Sequence, residues 1–164
     1  MHKLVATGAL ALALVVVGPA FGAGTFVVGG GQTTPDMLGF GLSAHIGPDG
    51  SVSGELTAGL SVAPPFPKVA EFTSKVTCLN IIGNHAMIGS VITQVNTPGG
   101  GSIPGFGPGT GLLSLAVDNG PPGQSAVPDE FNGVALTDGP PLLCPPPLFE
   151  ITPVAHGNIT ISSS

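Results

Sequence analysis

Apolar and polar residues alternate along much of the chain, and a period of two is typical of strands with one buried face. Between residues 40 and 46 the apolar side chains are separated by glycine, serine and histidine. The segment 47–50, Gly-Pro-Asp-Gly, has the composition of a turn. Alternation returns at 51–57, with Val52 and Leu56 on the apolar side. We expect these two segments to form a β-hairpin.

The same alternation recurs further along the chain. In residues 72–78 the side chains of Phe72 and Cys78 share one phase, which predicts that Cys78 faces the core. Residues 83–84, Gly-Asn, favour a turn. A helical period of 3.6 residues is not found after the N-terminal segment, so roughly eight short strands predict an all-β fold, an antiparallel sandwich or barrel. Further strands are expected at 85–95, 112–117, 131–137 and 158–162.

One stretch interrupts the alternation. Residues 97–111 consist largely of glycine and proline, and this composition offers few side chains to bury. We predict a mobile loop there that does not pack on the core. Residues 23–164, this loop included, are predicted to form a single β domain.

The N-terminal segment has the pattern of an export signal. Lys3 precedes an apolar run at 4–17, which a Gly-Pro pair then ends. The small residues Ala20 and Gly22 match the positions that an export peptidase reads. A membrane anchor is the alternative, but a spanning helix needs about 20 apolar residues and this run is shorter. We therefore predict a signal peptide at 1–22 that is cleaved, and a secreted, extracellular domain.

Charge restricts the partners of that domain. After cleavage Lys68 and Lys75 are its only cationic side chains, against nine acidic residues, a net charge of −7. Binding to nucleic acid requires cationic groups on the phosphates, and attraction to anionic lipid requires them as well. We therefore expect no nucleic-acid partner and no membrane partner after signal cleavage, and a cell-envelope component or a protein remains possible.

Two cysteines, Cys78 and Cys144, lie in the predicted domain. In an exported chain an isolated pair favours a disulfide over two free thiols. A metal site is a poorer interpretation, because neither cysteine has a second cysteine or a histidine two to four residues away.

The acidic residues suggest one candidate metal site. Asp118-Asn119-Gly120 is followed by Asp129, and oxygen side chains on a tight loop are the ligands that Ca²⁺ prefers. The hypothesis is a structural calcium ion held by Asp118, Asn119 and Asp129. The alternative is ordinary turn chemistry, since the spacing matches no EF-hand loop. No other cofactor is expected.

Catalytic patterns are weak throughout. Residues 50–54, Gly-Ser-Val-Ser-Gly, lack the spacing and the following helix of a nucleophile elbow. His45 and His85 fall on the polar side of their strands. The chain has neither Trp nor Tyr on which sugar rings would stack. We predict no catalytic residue and a non-enzymatic binding or structural module; the alternatives are a self-assembling surface protein, favoured by the low charge content, and a hydrolase with an unrecognised site.

Several short blocks also occur in an order that resembles a known group. The chain resembles small secreted bacterial β domains, common in high-GC Gram-positive bacteria, whose function is unknown. The resemblance implies an exported β fold and a Cys78–Cys144 pair, and it brings no activity. The blocks are Phe40-Gly41, Asp49-Gly50, Val76-Thr77-Cys78-Leu79, Gly83-Asn84, Val117-Asp118-Asn119-Gly120, Pro128-Asp129, Cys144-Pro145 and Gly157-Asn158-Ile159.

Overall fold

A computed structural model describes residues 24–33, 38–61, 68–146 and 152–163, and these residues form an all-β fold, as predicted. The predicted signal peptide, residues 1–22, lies outside this described part of the chain. Within the described residues no helix has the length and apolar character needed to cross a bilayer. The strands are β1 (Thr25–Thr33), β2 (Leu38–Ile46), β3 (Val52–Ser61), β4 (Lys68–Ile82), β5 (His85–Asn96), β6 (Gly111–Val117), β7 (Glu130–Thr137) and β8 (Val154–Ser162).

All eight strands belong to one antiparallel sheet, in the order β7-β6-β5-β4-β3-β2-β1-β8. The sheet curls until β7 meets β8, where Glu130 and Pro153 form an isolated bridge. The amide of Phe131 donates to the carbonyl of Thr152 at 2.9 Å. Of the two predicted architectures, the structure is therefore barrel-like, and we call this junction of β7 with β8 the seam.

Alternating side chains fill the interior of the barrel. The ring of Phe40 on β2 stacks on that of Phe131 on β7, with centroids 4.0 Å apart, so the two sides of the barrel touch through its centre. Full burial of each large apolar side chain stabilises the fold by about 1.5–3 kcal/mol. The other fully buried residues of this interior core include Val27, Leu56, Val76, Ile88, Ile92, Leu112 and Ile159.

Strand β1 is the element that the sequence pattern does not predict, because its Gly29-Gly30-Gly31 triplet is typical of a loop. The glycines are required where β1 crosses β8. A Cβ on Gly29 would lie 2.7 Å from the carbonyl oxygen of Asn158, closer than atoms can approach without a shift. The missing side chain of Gly29 leaves room for Ile159 inside the barrel, and that of Gly31 leaves room for Val154.

Cys78 is buried, as predicted, but it lies on the outer face of the sheet and not in the barrel interior, because β4 contains a β-bulge. Val76 and Cys78 oppose successive residues of β5, so Thr77 is an extra residue and the alternation changes phase. Val76 and Leu79 both belong to the interior core, whereas Cys78 points to the outer face. There it forms the predicted disulfide with Cys144, with the two Cα atoms 5.6 Å apart.

This disulfide fastens a loop to the outside of the barrel. Residues 138–146, which we call the strap, follow β7 and cross the outer face of β4 and β5. The Thr77 hydroxyl donates to the carbonyl of Pro141 at 2.6 Å, and the Asn80 amide donates to the carbonyl of Cys144 at 3.2 Å. A second, smaller outer core lies in this region, with Cys144 packed against its buried residues Met87, Leu115 and Val117.

The glycine- and proline-rich loop, residues 97–111, makes contacts with the rest of the fold that its composition does not predict. Its C-terminal end is tied to β5, since the amide of Gly109 donates to the carbonyl of Ile92 at 2.9 Å. Phe106 packs edge-on against Phe72 with centroids 5.2 Å apart and so joins the interior core. The prediction that residues 97–111 do not pack on the core is therefore wrong, because one aromatic side chain anchors the loop.

Candidate functional site

The three residues predicted as calcium ligands meet at the seam. The backbone amide of Asn119 donates to Asp129 Oδ1 at 2.9 Å, and the Asn119 side chain donates to the carbonyl of Pro128 at 2.7 Å. Asn84 reaches the same cluster and donates to the carbonyl of Asp118 at 2.9 Å. Asp129 is only 7% exposed. The cluster therefore ties the β4–β5 turn, the end of β6 and the start of β7 to one another.

Both carboxylates of this cluster also hold strand β8. Asp129 Oδ2 accepts the amide of Ile159 at 2.6 Å, and Asp118 Oδ2 accepts the amide of Ile161 at 2.9 Å. Asp118 Oδ1 accepts the amide of Gly120 at 2.8 Å. Each of the four carboxylate oxygens thus accepts a backbone N–H, and we call Asp118 and Asp129 together the clasp. Because hydrogen bonds to charged acceptors are strong, the clasp takes the place of strand pairing along this side of β8.

This arrangement bears on the calcium hypothesis. Each carboxylate oxygen has two electron pairs, and in the clasp one of them already accepts an N–H, so one pair of each oxygen is left for Ca²⁺. Among the described residues no group of three or more His, Cys, Asp or Glu side chains is arranged to hold a metal ion. The calcium site stays a prediction, with a titration as its test.

A histidine and a serine lie in contact on the β2–β3 hairpin. His45 Nε2 lies 2.9 Å from Ser53 Oγ, across neighbouring strands and exposed to solvent. His85 and His156 lie on β5 and β8. The serine therefore sits on an extended strand and not on the strained turn before a helix that activates a nucleophile in many hydrolases.

A groove of about 540 Å³ lies elsewhere, over β1 to β5, and its size is within the usual range of ligand sites. Three of its lining residues, Phe40, Ala58 and Phe72, have side chains in the interior core, so the polar lining residues that alternate with them face outward. Two cross-strand rows build it. The first row is Gln32, Gly39, Gly59, Glu71 and Asn96. The second is Gly41, Thr57, Thr73 and Gln94.

The order of residues along these rows gives the groove its shape. Glycines occupy the outward positions on β2, so the strand backbone forms the floor there. Longer polar side chains stand on both sides, Gln32 on β1 and the pair Gln94 and Asn96 on β5. Thr57 leans over the floor, with its hydroxyl 3.4 Å from the carbonyl of Gly41. The result is a trough bordered by amide and hydroxyl groups.

One feature of the sequence, the outward-facing glycines of β2, could have indicated this groove. Gly39 and Gly41 alternate with buried residues and therefore face outward on a regular strand. Outward glycines are unusual there, because glycine weakens a strand and solvent-facing positions tolerate most polar residues. A strand that keeps glycine on its exposed face marks a place where another backbone can approach closely.

Comparison with known proteins gives no function that could be assigned to this chain. Neither a protein-family model, nor a curated protein, nor a solved structure matches the chain. The resemblance to small secreted bacterial β domains stays a prediction. The groove and the clasp are therefore interpreted from their own geometry.

Proposed function

We propose that this protein is a secreted, non-enzymatic binding module whose groove holds an extended, uncharged polypeptide segment. The single observation that carries the proposal is the glycine-floored trough over β1 to β5, bordered by amide and hydroxyl side chains. Secretion is part of the proposal, supported by the export pattern at 1–22 and by a disulfide of the kind that persists in oxidising compartments.

The chemistry of the borders suits a peptide main chain. Gln94, Asn96 and Gln32 each offer a donor and an acceptor, which is what one peptide unit requires. Thr57 and Thr73 add hydroxyls that can do either. No atom lies within 4 Å of a Cβ added at Gly39, so a bound main chain can come near there, whereas the Thr57 hydroxyl, 3.0 Å from a Cβ added at Gly41, covers that position.

The same lining disfavours other ligand classes. Glu71 is the only ionisable side chain among the described residues of the groove, so an anionic ligand would find no cationic partner there. Its two aromatic residues, Phe40 and Phe72, pack into the barrel and offer no face for stacking a sugar ring. We therefore expect a ligand with small, uncharged side chains, such as glycine, alanine and serine.

Self-assembly through sheet edges is the alternative that composition suggests. The clasp works against it at β8, because the amides of Ile159 and Ile161 that an incoming strand would use already donate to Asp129 and Asp118. No structural observation favours assembly over binding.

The test is a titration of the ¹⁵N-labelled protein, followed by NMR, with an eight-residue Gly-Ser repeat peptide. We expect shifts at the amides of Gly39, Gly41 and Thr57, and at least a tenfold weaker affinity for the Gln94→Ala/Asn96→Ala variant. Thr160→Ala, an exposed change on β8, is the matched control and should bind as the wild type does. A neutral oligosaccharide and an acidic peptide of equal length form the comparison arms. No shift at the groove with millimolar peptide, or equal shifts with all three probes, would remove the proposal.

A further inference from the structure

Two asparagines of the chain are followed directly by glycine, Asn119 in the loop after β6 and Asn132 within β7. In such a pair the backbone nitrogen of the glycine can attack the side-chain carbonyl carbon of the asparagine, because the glycine has no side chain that hinders the approach. The attack closes a succinimide ring and releases the side-chain nitrogen. An Asn-Gly pair is therefore the sequence at which a protein most readily loses a side-chain amide.

The seam engages both reacting groups of the Asn119-Gly120 pair in other contacts. The Gly120 amide donates to Asp118 Oδ1 at 2.8 Å. The Asn119 side chain donates to the carbonyl of Pro128 at 2.7 Å and accepts a hydrogen bond from the Asn84 side chain at 3.3 Å. Ring closure requires the Gly120 nitrogen to lose its proton, which the negative charge of Asp118 opposes. It also requires the asparagine side chain to turn toward the glycine and so to leave its partners in the seam.

These contacts depend on a junction that is weakly held. Between β7 and β8 the described residues form an isolated bridge and not a continuous ladder. A protein opens locally where few backbone hydrogen bonds hold it together. Asp129 couples the asparagine to this junction, because it accepts the backbone amides of both Asn119 and Ile159. Asn119 is also partly exposed, so water reaches it. Opening of the seam therefore releases the groups that must react.

We propose that Asn119 is a deamidation site that the clasp controls, and that the product favours the open seam. When the seam opens, the Gly120 nitrogen gives up its proton and bonds to Asn119 Cγ, and the side-chain nitrogen leaves with that proton as ammonia. Water then adds to one of the two carbonyl carbons of the succinimide ring, which opens to aspartate or isoaspartate. The reaction requires no reactant other than water, and it is independent of the groove.

The product no longer fits the closed seam. A carboxylate at position 119 has no N–H to donate to the carbonyl of Pro128. Its negative charge lies close to Asp118 and Asp129, and like charges in one cluster repel one another. The isoaspartate form also adds a carbon to the main chain and so displaces the Gly120 amide from Asp118. Because water does not restore the amide, the modification is permanent and records how often the seam has opened.

The test measures aspartate and isoaspartate at both Asn-Gly pairs by peptide mapping, in the full disulfide-bonded chain incubated at neutral pH. In denaturant we expect the two pairs to react at similar rates. In the folded wild type Asn119 should react at least about tenfold more slowly than in denaturant. Asn132 should react more slowly again, since it lies opposite Leu115 in the ladder of β6 and β7.

Two variants test the control by the clasp. Asp118→Ala should accelerate the reaction at Asn119 about tenfold, because the Gly120 amide loses a charged acceptor. Asp49→Ala, which removes the equivalent contact with the Ser51 amide on a distant turn, should react as the wild type does. Asn132 serves as the internal reference, because a general loss of stability would accelerate both Asn-Gly pairs alike.

Hydrogen exchange tests the consequence of the modification. Asn119→Asp carries the charge of the product, and Asn119→Ala removes the same donor without that charge. The Ile159 amide should therefore exchange faster in Asn119→Asp than in Asn119→Ala. The proposal is overturned if Asn119 reacts equally fast in folded and denatured protein, or if Asp118→Ala leaves its rate unchanged or accelerates both pairs equally. Equal exchange at Ile159 in the two Asn119 variants would overturn it as well.

Discussion

The strap and the clasp fasten the barrel in two different ways. The strap, residues 138–146, lies on the outer face and is attached by a disulfide together with two side-chain hydrogen bonds. The clasp lies at the seam and contains no covalent bond; Asp118 and Asp129 hold β8 through its backbone amides. A covalent cross-link acts mainly on the unfolded chain, whereas the clasp acts only in the folded state.

The difference shows what each region stabilises. The disulfide joins two positions separated by 66 residues. It therefore restricts a large part of the unfolded chain, and this effect does not depend on where the strap lies in the folded state. The clasp satisfies donors on a strand side that lacks a paired neighbour, so it stabilises one junction. We therefore expect the disulfide to govern overall stability and the clasp to govern local opening of the seam.

The largest expected effect is loss of the disulfide. Cys78→Ala/Cys144→Ala should lower the free energy of unfolding by about 4 kcal/mol, because a loop of this length is released in the unfolded chain. The melting temperature should fall by roughly 10–15 °C in thermal unfolding followed by circular dichroism. Reduction of the wild type should reproduce the change, and a melting temperature that stays the same in both experiments would contradict this account.

Asp129→Asn should have the next largest effect. The substitution puts an NH₂ donor where the carboxylate accepts an amide, so one buried N–H of Asn119 or Ile159 loses its partner. We expect a loss of about 2–3 kcal/mol of stability. Hydrogen exchange should show the Ile159 amide opening faster while the amide of Ile88, in the interior core, follows only the global stability. Equal protection of the two amides in the wild type would mean that the seam does not open as a local unit.

Asp118→Asn and Asp49→Asn form a matched pair that isolates the seam. Both aspartates accept the amide two residues further on, Gly120 at 2.8 Å and Ser51 at 3.0 Å, but only Asp118 also accepts the amide of Ile161. Asp118→Asn should therefore cost about 1–2 kcal/mol, and Asp49→Asn clearly less. Chemical denaturation of both variants measures the difference, and equal midpoints would leave Asp118 with a turn role alone.

The pH dependence of Asp49→Asn gives a further check on that control. The Ser51 hydroxyl, followed by the Ser51 amide, lowers the pKa of Asp49 below its usual value. A carboxyl with a lowered pKa in the folded state contributes stability above its unfolded pKa, and this contribution disappears as pH falls through the folded pKa. The small difference between wild type and variant should therefore be present at pH 7 and absent in strong acid. Since Asp49 is fully exposed, high salt should also reduce this difference in stability between wild type and variant.

Calcium should have the smallest effect of all. Because an amide N–H already stabilises each clasp oxygen without a cation, we expect millimolar CaCl₂ and excess chelator to give the same melting temperature, with Asp118→Asn as the control. A rise of the wild-type midpoint with calcium that the variant lacks would instead establish the calcium site at Asp118, Asn119 and Asp129.

The alternation of apolar and polar residues predicted the regular parts of the fold. It failed where a bulge or the approach of a distant strand determines the local structure. The β2–β3 hairpin follows from its alternation and its Pro48-Asp49-Gly50 turn, and the structure pairs Ile46 with Val52 around it. The direction of the Cys78 side chain could not be predicted from the sequence, because the bulge at Thr77 depends on how β4 pairs with β5 and is not visible in the alternation of apolar and polar residues. Strand β1 was not predicted for a related reason, since its glycines are required by the close approach of β8, a strand distant in sequence.

The candidate sites differ in the same respect. Asp118, Asn119 and Asp129 were identified because acidic and amide residues around a turn are visible in the sequence. What their side chains do depends on Ile159 and Ile161 of the last strand, which no local pattern reveals. The groove requires the register of five strands, so its glycine floor and its polar borders come together only in the folded sheet.

The strand order also constrains the order of events during folding. Every neighbouring pair in the sheet is consecutive along the chain except β8 with β1, which joins Ser162 to Phe26. The pairs from β1–β2 through β6–β7, and the Cys78–Cys144 link, can form as soon as their own segments are available. The contact of the last strand with the first has the largest sequence separation, so it carries the largest loop-closure cost. We therefore expect the β1–β8 pairing to form after the pairs between consecutive strands.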